Sequence, residues 1–579
     1  FDAPHYFRRL GKGIFRKAPE ETVKAALLGI ERKKQIAAQI EAWADELVQG
    51  RCPAPVREQL YRILFRPDKN APEYKAVVAA AKRSQRAPLD LLKEADAISS
   101  PYQFHWQRFL FDQFPKGYRF GAVADVPAIG DALPLAAVQA FSIDDSATTE
   151  IDDALSVTGI GQGTVILGIH IAAPGLALAP DSALDKLARE RLSTVYMPGW
   201  KLTMLPDEVV QRYTLQEGRD CPAVSLYVRF DETTLAVLGS ETKLELVPIV
   251  ANLRHDQLDA LITEPSLTGQ APADYAFAPE LAFGFRLAKH LKAGREVVRG
   301  KPENFNRPDY NFKLVGNEAE PVGDETVSLT ERKRGAPLDL IVAEAMILAN
   351  NTWGGWLNEL GLPGIYRSQA SMAPGIKVRM GTKAAPHAGM GVAHYTWATS
   401  PLRRYVDLVN QWQIIAAAKH GRTAALAAPF KPKDTALFAV ISSFDAAYTA
   451  YNGFQNAIER YWTLRWLQQH EVTELDAAVM KDGLVRADTL PLVMRAVGAD
   501  KLPRGARVRV RIGAIDLLML EAHASVVGRI DDPATPADDA VVADEELDEA
   551  AAEGATGLAL AIDVSEAEPG QEADAGAAV

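Results

Sequence analysis

The stretch FSIDDSATTEIDDALSV, residues 141–157, decides how this chain is read. Two apolar runs flank a turn that carries Asp144, Asp145, Glu150, Asp152 and Asp153. Carboxylates crowded this closely repel one another, and burying them unpaired is very costly. Water or a cation must relieve the repulsion. A hard ion such as Mg²⁺ or Mn²⁺ takes oxygen ligands and keeps waters for a substrate phosphate. An EF-hand calcium loop fits poorly, because the sixth position counted from Asp144 is Thr149 rather than glycine.

Outward from this turn the pattern is that of strands. AAVQAFSI, ALSVTGI and TVILGIHIA are β-rich runs within 136–175, and VSLYVRFD and TLAVLGSETKLELVPIV add more. Upstream, residues 18–98 read as helices. Val23, Ala26, Leu27, Ile30, Ile36, Ile40, Trp43 and Leu47 recur at helical spacing, and the short segments that follow suit a helix-turn-helix-like bundle. Its Arg32, Lys33, Lys34, Lys82, Arg83 and Arg86 are candidates to face phosphates. Helical patterns return at 276–300, 336–360 and 401–470. Residues 474–530 then alternate again, as expected of a five-stranded barrel of the oligonucleotide-binding kind, with Arg504, Arg507, Arg509 and Arg511 making its face basic.

The 579 residues exceed a typical domain several-fold, so several domains are expected. A chain 48% hydrophobic and 24% charged is not disordered throughout. Its apolar runs are too short to cross a bilayer, so no membrane partner is expected. The first residues resemble neither a signal nor a transit peptide. Two cysteines, Cys52 and Cys221, exclude a disulfide scaffold or a thiolate zinc cluster and fit a reducing cytoplasm. The net charge of −12 hides an asymmetry. Residues 531–579 hold 15 acidic residues and no Lys or Arg, which leaves +3 for the rest and +6 for residues 1–100. Basic front and acidic tail together suit a nucleic-acid protein. The tail is too poor in apolar residues to offset its ordering entropy and is expected to be mostly disordered.

A second motif, HYTWATSPLRRYVDLVNQW at 394–412, joins the first. Ser400 suits an N-cap and Pro401 the first helical position. Leu402, Tyr405, Val406, Val409 and Trp412 then form an apolar stripe. Arg403 and Arg404 fall in the expected first turn, where the helix dipole disfavours cations. An anion bound there makes sense of them, and so do salt bridges to Asp407. Beside a carboxylate-held metal the anion reading is the better one. A phosphodiester gripped between cations and arginine is the arrangement of two-metal hydrolysis.

The chain resembles the RNase II/RNase R (RNB) exoribonuclease family. The resemblance rests on IDDSATTEIDDAL, YMPGWKLTMLP at 196–206, NRPDYNF at 306–312, EAMILAN at 344–350 and YTWATSPLRRYVDL at 395–408. It implies an α+β multidomain fold: an N-terminal helical nucleic-acid-binding domain (1–98), an RNB catalytic domain of mixed sheets and helices (99–470), an S1-type OB barrel (471–530) and the acidic tail (531–579). It also implies a cytoplasmic, processive 3′→5′ exoribonuclease, expected to be a monomer, that cuts single-stranded RNA to nucleoside 5′-monophosphates with Mg²⁺ or Mn²⁺. Asp144 and Asp153 would ligate one metal, with Glu150 and Asp152 supporting a second or orienting the attacking water. Arg403 would bind the scissile phosphate, with Ser400 and Arg404 beside it. Tyr196 and Tyr310 would clamp the terminal bases, Glu459 would contact the last sugar, and Glu344 would help recognise ribose.

Several positions depart from the family pattern. Glu150 stands where the family has Asp, and HIAAP places Ala173 where an acid is usual. VVQRYTLQEG replaces the usual stretch after MLP, and helices stand where two cold-shock barrels are expected. RNA is therefore expected to reach the site by a different route. The departures also motivate an alternative, a catalytically silent RNA-binding protein of the same fold.

Overall fold

The computed structural model describes residues 6–12, 14–121, 126–303, 308–316, 319–332, 335–373, 375–531 and 560–564. Its centre is a closed five-stranded barrel of Ala140–Asp144, Asp153–Thr158, Thr164–Ala172, Arg219–Asp231 and Val237–Arg254. Neighbours along the barrel run antiparallel until the last strand closes on the first in parallel, with Asp144 opposite Arg254. Val165, Leu167, Ile169 and Ile171 pack with Val224, Leu226, Val228 and Phe230 in one core. Ala172, Cys221 and Ala223 pack in another, with the helices Asp207–Tyr213 and Tyr405–His420. Strands covered on both faces read as continuous apolar runs, which is why TVILGIHIA shows no clean alternation.

The helix Tyr405–His420 is buried along most of its length, and the 35-residue helix Thr435–Gln469 sends Leu437, Val440 and Phe444 into the core that holds Ala172 and Cys221. The long helix continues into a core shared with a second closed barrel, Glu474–Val479, Leu484–Ala487, Val493–Val497, Arg507–Asp516 and Glu521–Arg529. That is the expected five-stranded barrel, but its basic face is largely compensated. Arg507 is ion-paired with Asp488, Arg509 with Asp476 at 2.9 Å and Arg511 with Glu474 at 2.9 Å. Strand pairing puts Asp476 opposite Arg509 and Glu474 opposite Arg511, so these are rungs of one ladder.

Residues 18–98 are helical as expected, preceded by a hairpin of Phe7–Gly11 and Ile14–Lys17 that the sequence pattern did not signal. Two of the cations expected to face phosphates are engaged: Arg83 with Glu41 and Asp45, and Arg86 with Glu94. The helix Pro101–Gln113, capped by Ser100, ties the units together. Its Phe104 packs in the N-terminal core, while Tyr102, Trp106 and Phe109 pack against Phe454, Tyr461 and Trp462 of the long helix.

The tail corrects the expectation of disorder in one place. Leu560, Ile562 and Val564 pack on the N-terminal bundle, where Ala561 donates its backbone N–H to the Leu64 carbonyl at 2.8 Å. Alternate apolar residues meeting one surface is strand-like logic within an acidic stretch. The remaining tail from residue 532, like Asn306 and Arg307 of NRPDYNF, lies outside the described residues. Among the described residues no helix is long and apolar enough to cross a membrane.

Candidate active site

Barrel geometry brings the acidic turn together. Asp144 ends the first strand and Asp153 begins the second, so the turn from 145 to 152 folds back on itself at the barrel rim. Its tip, Ser146, Ala147 and Thr149, is exposed, but the turn is braced from both sides. Thr214 accepts the Ile151 N–H at 2.8 Å and donates to the Thr149 carbonyl. Arg254 donates to the Asp145 carbonyl at 2.8 Å, and Asp256 accepts both the backbone and side chain of Ser146 at 2.9 Å.

Each carboxylate then has a distinct environment. Asp152 is buried, accepting the Leu402 N–H at 2.9 Å on Oδ1 and Arg403 Nε at 3.1 Å on Oδ2. Burial outweighs these two donors and pushes its carboxyl up to about 7. Glu150 is also buried and accepts from Thr194 Oγ1, Tyr196 Oη and Lys201 Nζ at 3.2, 3.3 and 2.8 Å. Asp144 keeps its Oδ2 closed off from solvent with no donor in reach. Burial raises the carboxyls of Asp144 and Asp153, and the neighbouring Asp144 and Asp152 add to the rise at Asp153.

These groups face a cavity of about 1650 Å³ lined by Asp144, Glu150, Asp152, Asp153, Lys201 and Arg403. Tyr196 lies between it and a second opening of about 1420 Å³ that holds Tyr310 and Glu459. Tyr310 sits on the strand Asp309–Val315, its hydroxyl 3.5 Å from the Asp488 carbonyl. Glu459 accepts from Gln455 at 3.0 Å, and burial raises its carboxyl. Thus Asp144, Glu150, Asp152, Asp153, Arg403 and Tyr196 share one site, with Tyr310 and Glu459 in the adjoining opening.

Three expected residues are placed differently. The helix begins at Tyr405, not after Ser400, so Arg403 and Arg404 precede it. Residues 400–404 form a turn strapped to a neighbouring segment: Thr194 N–H donates to the Arg403 carbonyl at 2.9 Å, and Tyr405 N–H to that of Leu192 at 2.8 Å. The buried Asp407 carboxylate accepts the Ser400 N–H at 2.9 Å and both Nε and Nη2 of Arg404 at 2.8 Å. Arg404 also lies over the Trp397 ring at 4.1 Å. The salt bridge to Asp407 therefore holds Arg404 in place, where it lines a small opening with Arg403 and Tyr196, and Ser400 is buried without a side-chain capping role. Glu344 is likewise occupied. On the helix Pro337–Glu359 it is buried against Arg295, which also grips Glu303.

The residues fit a hard divalent ion. The donors are carboxylate oxygens, burial raises the carboxyls of Asp144 and Asp153 with Asp144 adding to the rise at Asp153, and the enclosed Asp144 Oδ2 has no donor that a cation would have to displace. Among the described residues, three ligand atoms all come within 4.8 Å of one another only in a separate rim group, Asp145, His255 and Asp256; no three of Asp144, Glu150, Asp152 and Asp153 close to that distance. Lys201, Thr194 and Thr214 escaped sequence reasoning. Lys201 lay inside the quoted YMPGWKLTMLP, where its position two residues after the Pro-Gly turn was the available signal.

Comparison with known proteins bears on this site. Residues 134–376 and 376–420 match the model of the RNB domain. An uncharacterized ribonuclease, sll1290, of Synechocystis sp. is 27% identical over 383 residues, covering 62% of this chain and 53% of that protein. Exoribonuclease 2 of Edwardsiella piscicida is 27% identical over 330 residues, covering 48% of this chain and 49% of that protein. The chain thus spans about half the length of the curated relatives it matches. Among solved structures, an active-site mutant of the Dss1 exoribonuclease from Candida glabrata shares the fold with a TM-score of 0.62 at 17% identity, over 86% of this chain and 72% of that one.

Proposed function

Because the chain belongs to the RNB family, we propose that it is a processive 3′→5′ exoribonuclease that hydrolyses single-stranded RNA to nucleoside 5′-monophosphates with Mg²⁺ or Mn²⁺. The observation that carries this reading is the convergence of Asp144, Asp152 and Asp153 with Arg403 on one cavity, one enclosed carboxylate oxygen being left without a donor.

Asp144 and Asp153 would hold the ion. When bound, it supplies a Lewis acid and lowers the pKa of its water. The protein's own groups do the rest. Asp152 fixes Arg403 through Nε, so the guanidinium is oriented before substrate arrives. Arg403 then meets the phosphate and offsets the charge that develops on it. Tyr196 and Tyr310 present aromatic rings near the site, and stacking on rings accepts every base, at ~1–3 kcal/mol per base. The name of one relative, Exoribonuclease 2, supports cleavage from an end, and the 3′→5′ direction is what the resemblance to the family implies.

The test is a single-stranded RNA, labelled at its 5′ end in one sample and throughout its body in another, incubated with the protein and Mg²⁺. Nucleoside 5′-monophosphates should appear from the first turnover, with a short labelled end product and no ladder of intermediates. Internal fragments at early times would sink the proposal. Affinity for the same RNA should fall steeply as salt rises, because phosphate contacts release counterions.

A further inference from the structure

Two of the four family-pattern carboxylates differ sharply in what already satisfies them. The Asp144 Oδ2 has no donor. Glu150 has three, and one is a full positive charge: Lys201 Nζ at 2.8 Å from Oε2. The same ammonium donates to Thr149 Oγ1 at 2.7 Å.

This placement is built in. Val195–Met197 and Trp200–Leu202 form a hairpin in which Tyr196 is paired directly with Lys201. Cross-strand partners point to the same face, so the phenol and the ammonium reach one carboxylate together. The hairpin turns at Pro198 and Gly199, with φ of +75° at the glycine. A Cβ there would stand 2.5 Å from Leu314 Cδ1, so the turn and with it the register are fixed. The extra methylene of Glu150 lengthens its reach toward Lys201. Lys201 lines the same cavity as Asp144, Asp153 and Arg403.

We propose that the Lys201 ammonium occupies the second cation position of this site, so that the protein binds one divalent ion, at Asp144 and Asp153, where a pair was expected. The inference rests on the exoribonuclease reading for its purpose, though not for its test. Glu150 and Lys201 then act as one unit: the glutamate positions a fixed monovalent charge, and like-charge repulsion keeps a second divalent ion from the same oxygens. A compact ammonium is suited to this, having three donors and no ligand geometry to satisfy.

The experiment uses metal-stripped full-length chain titrated with Mn²⁺ without RNA, followed by calorimetry and electron paramagnetic resonance. Wild type should bind one Mn²⁺ per chain with a mononuclear spectrum. Lys201→Met and Lys201→Gln should each free Glu150 and admit a second, weaker Mn²⁺, with a spin-coupled signal; Lys201→Arg should stay at one. Adding Glu150→Gln to Lys201→Met should return the count to one. Two ions in wild type, or one in both neutral variants while they remain folded by circular dichroism, would overturn the inference. With RNA present, activity against Mn²⁺ concentration should be hyperbolic in wild type and sigmoidal in the neutral variants. Failure of wild type to release nucleotides would defeat the exoribonuclease reading and leave the ion count to be judged by the titration.

Discussion

Asp152 gives the sharpest single-residue expectation. Asp152→Asn keeps the shape but weakens the hold on Arg403 and removes a charge beside the reacting phosphate. Hydrolysis should be abolished, whereas RNA affinity by gel shift should stay within ~3-fold, because most phosphate and stacking contacts remain. The raised carboxyls also set a pH dependence of stability. An unfolded Asp ionises near ~3.9, while folded Asp152 does so at about 7 and Asp144 and Asp153 are raised in the same direction. In that interval the folded state binds more protons, so these groups lower stability as pH rises from ~4 to about 7. A divalent ion offsets that loss. The Mg²⁺-induced rise in Tm should therefore be larger at pH 8 than at pH 5; an equal or reversed effect would contradict the cation reading. The acids and Arg403 were legible because carboxylates at this density need a cation whatever the fold. Lys201 was not, because its partner Glu150 lies 51 positions away and only the hairpin register brings them together.

The segment from Ser400 to Asp407 shows how one helix start can be misread. Ser-Pro before an apolar stripe is a strong start signal. Here tertiary pairing to Leu192–Thr194 delays the helix by several residues, and an acid inside its first turn takes over the cap from Ser400. Asp407→Ala would leave the Arg404 guanidinium unpaired and largely buried. It should destabilise the protein by ~3–5 kcal/mol in denaturant titration, and activity should fall with it, since Arg403 is the adjacent residue. Asp407→Asn, which keeps an acceptor for the Ser400 N–H, should cost less. The individual strands were readable from composition, but the closure of the first barrel was not. Its parallel seam joins Ala140–Asp144 to Val237–Arg254, about a hundred residues away, and local pattern carries no record of that pairing. The second barrel, contained within 474–529, was visible because its strands are consecutive and short.

The assembled chain places its N-terminal bundle against both the second barrel, through Leu518 and Met519, and the segment 560–564. Charge set a basic front apart from an acidic tail and gave no sign that the two touch. The contact that forms is apolar, Leu560, Ile562 and Val564 on the bundle, with the Tyr74 hydroxyl 3.3 Å from the Asp563 carbonyl. Replacing Leu560 and Ile562 by serine should speed hydrogen exchange across Ala54–Glu94 and lower the thermal transition, while nucleotide release is retained. Unchanged exchange would show that the segment contributes nothing. This contact has a consequence for biosynthesis. Tyr74 and Asp563 are 489 positions apart, so at ~5–20 residues per second the ribosome delivers the covering segment ~25–100 s after the bundle has emerged. Throughout that interval the nascent bundle shows an uncovered oily patch, the kind of surface that chaperones recognise and neighbouring polysome chains stick to.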